Sequence, residues 1–168
     1  MKNVLMIIAP VNFRDEELLE PKKILEDSGA KVTVASKGTA LAKGSRGASV
    51  KVDISISQVN VANYDAVVFV GGSGATVYLN DVTAHSIAKQ TLAQGKILAA
   101  ICMAPSIIAN AGLLKGKKAT AFPSESSNLT SKGAIVEDKN VVQEGKIITG
   151  KGPQAAKEFG EKIRDSLK

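Results

Sequence analysis

The sequence predicts one α/β domain spanning residues 1–168, built as a mainly parallel β-sheet with helices on both faces. Apolar runs of strand length alternate with amphipathic stretches of helix length, the pattern of a parallel sheet covered by helices. A length of 168 residues supports one substantial core and is short for two. The 44% hydrophobic and 23% charged fractions fit a globular chain, so neither disorder nor a membrane class is indicated.

Val4–Ala9 reads as a buried first strand. Its apolar run ends in Asn12-Phe13-Arg14-Asp15 with no small-residue cleavage site, which argues against a signal peptide. A helix is expected over Asp15–Ser28, with Asp15, Glu16 and Glu17 in its first turn and Gly29 beyond its end. Pro21 inside it should bend the helix or mark a late start. Lys31–Ala35 is a second strand, Gly38–Gly47 a surface loop or hairpin, and Ala48–Ile54 a further strand. Asp65–Val70 runs directly into Gly71-Gly72-Ser73-Gly74, a turn able to bring backbone N–H groups close to a ligand. That glycine turn lacks the Gly-Lys-Ser/Thr ending of a phosphate loop and the dinucleotide spacing, so a nucleotide role is not expected.

Asp81–Gln94 is a helix stopped by Gly95, and Ile97–Ile101 is a wholly apolar strand. After Cys102 comes a helix of about two turns carrying Ile107, Ile108 and Ala111, ended near Gly112. Lys115-Gly116-Lys117-Lys118 reads as a solvated turn. Short strands follow at Lys118–Phe122, Ala134–Val136, Val141–Gln143 and Lys146–Thr149, the last two forming a hairpin across Glu144-Gly145. In Pro153–Leu167, Ala156, Phe159, Ile163 and Leu167 recur at helical spacing and share one face.

Several functions are excluded early. A single cysteine forms no internal disulfide, and one histidine with one cysteine cannot assemble a conventional zinc site, so no metal and no cofactor are expected. The net charge of +6 comes from dispersed lysines and arginines, and four Phe, two Tyr and no Trp offer little for base stacking. No nucleic-acid partner is expected. No run of about 18 apolar residues exists to span a bilayer, and a cytoplasmic protein with no membrane contact is expected.

The chemistry centres on Cys102, delivered by a buried strand into a tight turn, with Met103-Ala104-Pro105 opening the next helix. Unpaired N–H groups and the helix dipole there are expected to lower the thiol pKa below its free value of about 8.5. Ligands of open α/β sheets bind at the carboxyl ends of strands, where both Gly71-Gly72 and Cys102 fall. The N–H groups of Gly72 and Met103 then form an oxyanion hole beside the sulfur, and the Glu16-Glu17 cluster reaches the same rim. A buried, inert cysteine is the plain alternative for Cys102, and a solvated first-turn carboxylate for Glu17. His85, in a helix with no fixed acidic partner, reads as a surface histidine.

Three ordered motifs carry a resemblance: Phe13-Arg14-Asp15-Glu16-Glu17-Leu18-Leu19-Glu20-Pro21, Phe69-Val70-Gly71-Gly72, and Ala100-Ile101-Cys102 followed by Pro105. With Lys151-Gly152-Pro153 before the last helix, the chain resembles the ThiJ/PfpI superfamily, also called the DJ-one/PfpI family, over nearly its whole length. The resemblance implies a flavodoxin-like three-layer sandwich, a cysteine nucleophile at an elbow, and a homodimer or larger homo-oligomer. Under it, Cys102 matches the reactive cysteine, Glu17 the glutamate that contacts its sulfur, and Gly72 and Met103 the backbone donors. Arg46, in Ser45-Arg46-Gly47, matches a basic residue near the family's site. The chain departs from protease-like and many glyoxalase-like members, which carry histidine directly after the cysteine, where Met103 stands. It departs from another branch at Phe122-Pro123, where a histidine precedes the proline.

Three functions follow. One is attack of the Cys102 thiolate on a small electrophile, a reactive aldehyde such as a 2-oxoaldehyde, in a glyoxalase- or deglycase-like stress-defence reaction with Glu17 moving the proton. Another is a non-catalytic redox sensor or chaperone-like protein switched by Cys102 oxidation. The weakest is a peptidase or amidase, because no acid accompanies Cys102 to protonate a leaving amine.

Overall fold

Strands buried on both sides organise the chain, and their side chains alternate between two separate cores. In the computed structural model, which describes residues 1–168, β1 (Asn3–Ile7) sends Val4 and Met6 to one core and Leu5 and Ile7 to the other. The same two-residue period splits β7 (Ala66–Phe69) and β8 (Ile97–Ile101), as a pleated strand dictates. Against the first core lie α1 (Asp15–Asp27) and α5 (Ala156–Ser166), contributing Leu18, Leu25, Phe159 and Ile163. Against the second lie α2 (Val82–Ala93), α3 (Pro105–Asn110) and α4 (Ser126–Ser131), with Ile87, Ala88, Ile107, Ile108 and Leu129. The result is the three-layer α/β arrangement read from the sequence.

The remaining strands are β2 (Val11–Phe13), β3 (Lys31–Ser36), β4 (Leu41–Gly44), β5 (Ser49–Lys51), β6 (Ile54–Ser55), β9 (Lys118–Ala119), β10 (Ile135–Val136), β11 (Val141–Glu144) and β12 (Ile147–Gly150). The main sheet has the order β11-β12-β8-β7-β1-β3-β6. All its neighbours pair in parallel except β11 and β12, which form the expected hairpin. The strand order runs outward in both directions from β1 and β7, and a sheet of this kind opens its crevice there, at the carboxyl ends.

Two expectations are corrected, one element is new and one alternative is settled. Ala48–Ile54 is not one strand: β5 pairs with β4 in a small three-stranded sheet, while β6 joins the edge of the main sheet beside β3. Lys118–Phe122 is a strand only at β9, because the chain leaves its pairing with β10 to bind the Cys102 turn. The short helix α4 was not expected, its Ser-rich stretch having one buried apolar residue, Leu129. The first helix does not start late: α1 begins at Asp15 and carries Pro21 inside it. No helix is long and apolar enough to cross a membrane.

The two helices of one layer, α1 and α5, meet at Gly160, where an added Cβ would stand 2.8 Å from the Pro21 Cα and 3.1 Å from Ile24 Cδ1. Helix propensity alone favours Gly160→Ala by about 1 kcal/mol. The backbone contact reverses that, and the variant should lose roughly 1–2 kcal/mol, read as a lower urea midpoint at unchanged slope. A gain in stability would show that α1 and α5 can separate freely.

Candidate active site

At the end of β8 the chain turns so sharply that Cys102 takes a left-handed backbone, φ +66°. That conformation costs a residue with a side chain roughly 1–2 kcal/mol. Two hydrogen bonds hold it: the Cys102 N–H donates to the Gly150 carbonyl at 2.9 Å, and the Phe122 N–H donates to the Cys102 carbonyl at 2.9 Å. The first extends the β8–β12 ladder by one residue, and the second draws in the segment after β9. The thiol is thereby set over the ends of β7 and β8 with 7% of the residue exposed. The N–H groups of Gly72 and Met103 lie near enough to the sulfur to favour its charged form. The Met103 side chain packs against both cores and offers no proton.

Glu17, in the first turn of α1, is wholly buried beside Cys102. Neither of its carboxyl oxygens has a hydrogen-bond partner of full geometry; the Cys102 thiol and the Gly71 N–H are close enough to lower its pKa in part. Gly71 makes this approach possible. A Cβ there would lie 2.5 Å from Glu17 Oε1 and 2.6 Å from Cys102 Cβ, so any side chain would drive acid and thiol apart. Gly72, at φ +103°, is crossed equally closely by the backbone of Asn12, Phe13 and Arg14.

The electrostatics correct one expectation. Burial, reinforced by the charge of Glu17, pushes the Cys102 thiol up to about 12, and the two N–H groups offset this only in part. The expected lowering by the helix start fails because the sulfur is buried against a carboxylate rather than held at an open helix end. Burial likewise raises Glu17 to about 7. The two groups therefore titrate as one system, with the first proton leaving near neutrality and the second retained well above it.

Around this pair the rim is charged. The Arg14 guanidinium grips Glu16 through Nε and Nη2 at 3.1 and 2.8 Å, which holds the Glu16 carboxyl below the usual range. Arg14 also lies close enough to Glu17 and Cys102 to feel both charges. Arg46 is exposed on the β4–β5 turn, where the buried Asp15 carboxylate accepts the Arg46 and Ala48 N–H groups at 3.1 and 2.9 Å. That turn brings Arg46 near Glu16 rather than onto the sulfur. His85 stays in α2, its Nε2 2.8 Å from the Leu79 carbonyl. Sequence reading passed over Arg14 and Lys151 as site residues. Together with Phe122 and Pro123 they line a cavity of about 460 Å³, and the only sequence signal was their position inside two of the motifs.

Comparisons with known proteins bear on the family and the fold. The profile of the DJ-1/PfpI family matches residues 2–166. An uncharacterised protein of Methanocaldococcus jannaschii is 42% identical over 99% of this chain and 84% of its own length. A deglycase of Pyrococcus horikoshii is 36% identical over 84% of this chain and 85% of its own. Among solved structures, a ThiJ/PfpI domain protein from Brachyspira murdochii superposes with a TM-score of 0.96 at 35% identity, covering 98% of this chain and 95% of that one.

The raised Glu17 pKa makes stability depend on pH. The folded protein holds this proton up to about pH 7, against an ordinary value of 4.5. The folded state therefore binds more protons between those limits. The contribution is complete below pH 4.5 and is lost as pH rises through 7, by roughly 3 kcal/mol. Glu17→Gln removes the titration, so its stability relative to the wild type should climb by that amount between pH 4.5 and 8 in urea unfolding. A gap between the two that does not change with pH would place Glu17 in water.

Proposed function

The chain belongs to the DJ-1/PfpI family, and we propose that it acts on small reactive carbonyl compounds, in a glyoxalase- or deglycase-like reaction, through Cys102. One observation carries the reading: the wholly buried Glu17 carboxyl, without a full hydrogen-bond partner, lies against the Cys102 thiol in its left-handed turn, and burial raises the pKa of both. A base poised near the working pH beside an otherwise unreactive thiol is a general-base arrangement. The deglycase name of the Pyrococcus horikoshii relative supports the carbonyl substrate class.

With a 2-oxoaldehyde, Sγ adds to the aldehyde carbon as its proton passes to the Glu17 carboxylate. The C–S bond forms while the C=O π pair moves onto oxygen, and the resulting oxyanion is met by the Gly72 and Met103 N–H groups. Glu17 returns that proton to the oxyanion, giving the hemithioacetal hydroxyl and freeing its carboxylate. The carboxylate then carries the carbon-bound hydrogen to the neighbouring carbon as a proton while the hydroxyl proton passes to the former ketone oxygen, leaving a thioester of the 2-hydroxy acid. Water releases the acid and restores the thiol, so no external oxidant or reductant is needed. Amide cleavage fits poorly, because Met103 and Phe122 stand where the resemblance puts histidines in other branches, and neither can protonate a leaving nitrogen. A homodimer belongs to the same proposal. Val11 of β2, Leu41 of β4 and Val77 after the glycine turn are exposed apolar side chains on neighbouring elements, which a second copy would cover.

Methylglyoxal consumption should be lost in Cys102→Ser and reduced by about 10²–10⁴ in Glu17→Gln. In the wild type, turnover should rise with pH through about 7 as Glu17 loses its proton. Sulfinate formation at Cys102 with no turnover would favour the redox-sensor reading instead. Sedimentation showing only monomer at micromolar concentration would remove the dimer.

A further inference from the structure

The cavity lined by Arg14, Phe122 and Lys151 adjoins the turn that holds Cys102, and it is larger than the reaction proposed there requires. A three-carbon aldehyde occupies roughly the room of four waters, about 120 Å³, whereas the cavity measures about 460 Å³. Three of its walls are tied by main-chain hydrogen bonds to the turns that form the site. Phe122 bonds the Cys102 carbonyl, Lys151 follows the Gly150 that accepts the Cys102 N–H, and the Arg14 N–H donates to the Gly71 carbonyl at 3.0 Å. The space is therefore fixed relative to the Cys102 turn; Cys102 itself does not line it, and Arg14 is the lining residue whose charge reaches the sulfur.

Its lining is selective in charge. Phe122, 42% exposed, and Pro123 make an apolar wall. Arg14 and Lys151 supply two cations against the single carboxylate of Glu16. Arg14 spends Nε and Nη2 on Glu16, and its Nη1 makes no hydrogen bond within the chain. Lys151 is paired with Asp138, whose side chain is 88% exposed and loosely held by solvent-screened attraction. The turn Gly152–Ala155 that opens α5 forms part of the same wall and adds the positive end of an 11-residue helix. A free guanidinium edge, an ammonium and a helix start converging on one cavity favour an anion.

Resting on the reading of Cys102 as a nucleophile for carbonyl compounds, we propose that the cleft between Arg14 and Lys151 holds an anionic substituent, carboxylate or phosphate, of the molecule that reacts there. The protein accordingly selects negatively charged carbonyl compounds over neutral ones. Glu16 acts as the counterweight, since it occupies part of Arg14 and places one negative charge at the mouth.

Alkylation of Cys102 by iodoacetate and by iodoacetamide tests this apart from turnover. The two reagents share one displacement chemistry and differ in charge, so their rate ratio cancels any change in thiol pKa. In the wild type the iodoacetate-to-iodoacetamide ratio should exceed that of free cysteine by roughly fivefold. It should fall toward the free-cysteine value in Arg14→Gln and in Lys151→Gln, and rise in Glu16→Gln. Lys89→Gln, on α2 in the other helical layer, should leave it unchanged and so removes net charge as the cause. Protection of Cys102 from iodoacetamide by acetate or by inorganic phosphate tells carboxylate from phosphate. A wild-type ratio equal to that of free cysteine, or a raised ratio indifferent to Arg14, Lys151 and Glu16, overturns the anion cleft. Absence of methylglyoxal turnover with the ratio effects intact would instead overturn the proposed reaction and leave the cleft standing.

Discussion

The site depends on one strained residue, the left-handed Cys102, and on the two main-chain hydrogen bonds that hold it. Their typical worth of about 1 kcal/mol each is comparable to the cost of the conformation they enforce. Because the donors and acceptors come from Gly150 and Phe122, the position of the sulfur is determined jointly by β8, β12 and the segment leaving β9. The alternating burial of β1, β7 and β8 serves the same end. A one-residue slip of strands filled on both faces would send each core's side chains into the other, against the shapes already packed there, so the ends that carry Gly71 and Cys102 are fixed in space.

Glu17 shows what such rigidity makes tolerable. A carboxyl buried without a full hydrogen-bond partner is destabilising when ionised, and an isolated α1 would turn it toward solvent. It stays in place because Leu18 and Leu25 anchor the helix in the core and Asp15 ties the helix start to the β4–β5 turn. The strain then becomes a proton affinity near neutrality. Stability and reactivity are thus two readings of one desolvated group.

Much of this was legible in the residues. The apolar runs at Val4, Asp65 and Ile97 located the central strands to within a residue or two, since fully buried strands have no polar face to blur their limits. The Cys102 turn followed from strand, cysteine and proline in succession. Glu17 became distinct from Glu16 only through the family resemblance, because helical spacing does not say which of two adjacent carboxylates points inward. The thiol pKa was read with the wrong sign for a related reason. A helix start is visible in a sequence, but the depth of the sulfur and its contact with a carboxylate arise from three distant segments meeting at Gly71. Likewise Arg14 was hidden inside an acidic stretch, and Ala48–Ile54 carried no mark of the change of sheet between β5 and β6.

The division of labour at the Cys102 turn has a consequence for descent. The Cys102 sulfur is positioned by peptide groups, which every amino acid possesses, and by glycines that only need to remain bare. The side chains that accompany it, Met103 on one flank and Phe122 on the other, lend the turn only their backbones, through the N–H groups that lie near the sulfur and bond the Cys102 carbonyl. A lineage can therefore exchange those two residues, acquiring or discarding an acid or a base, while the architecture that delivers the sulfur is inherited intact.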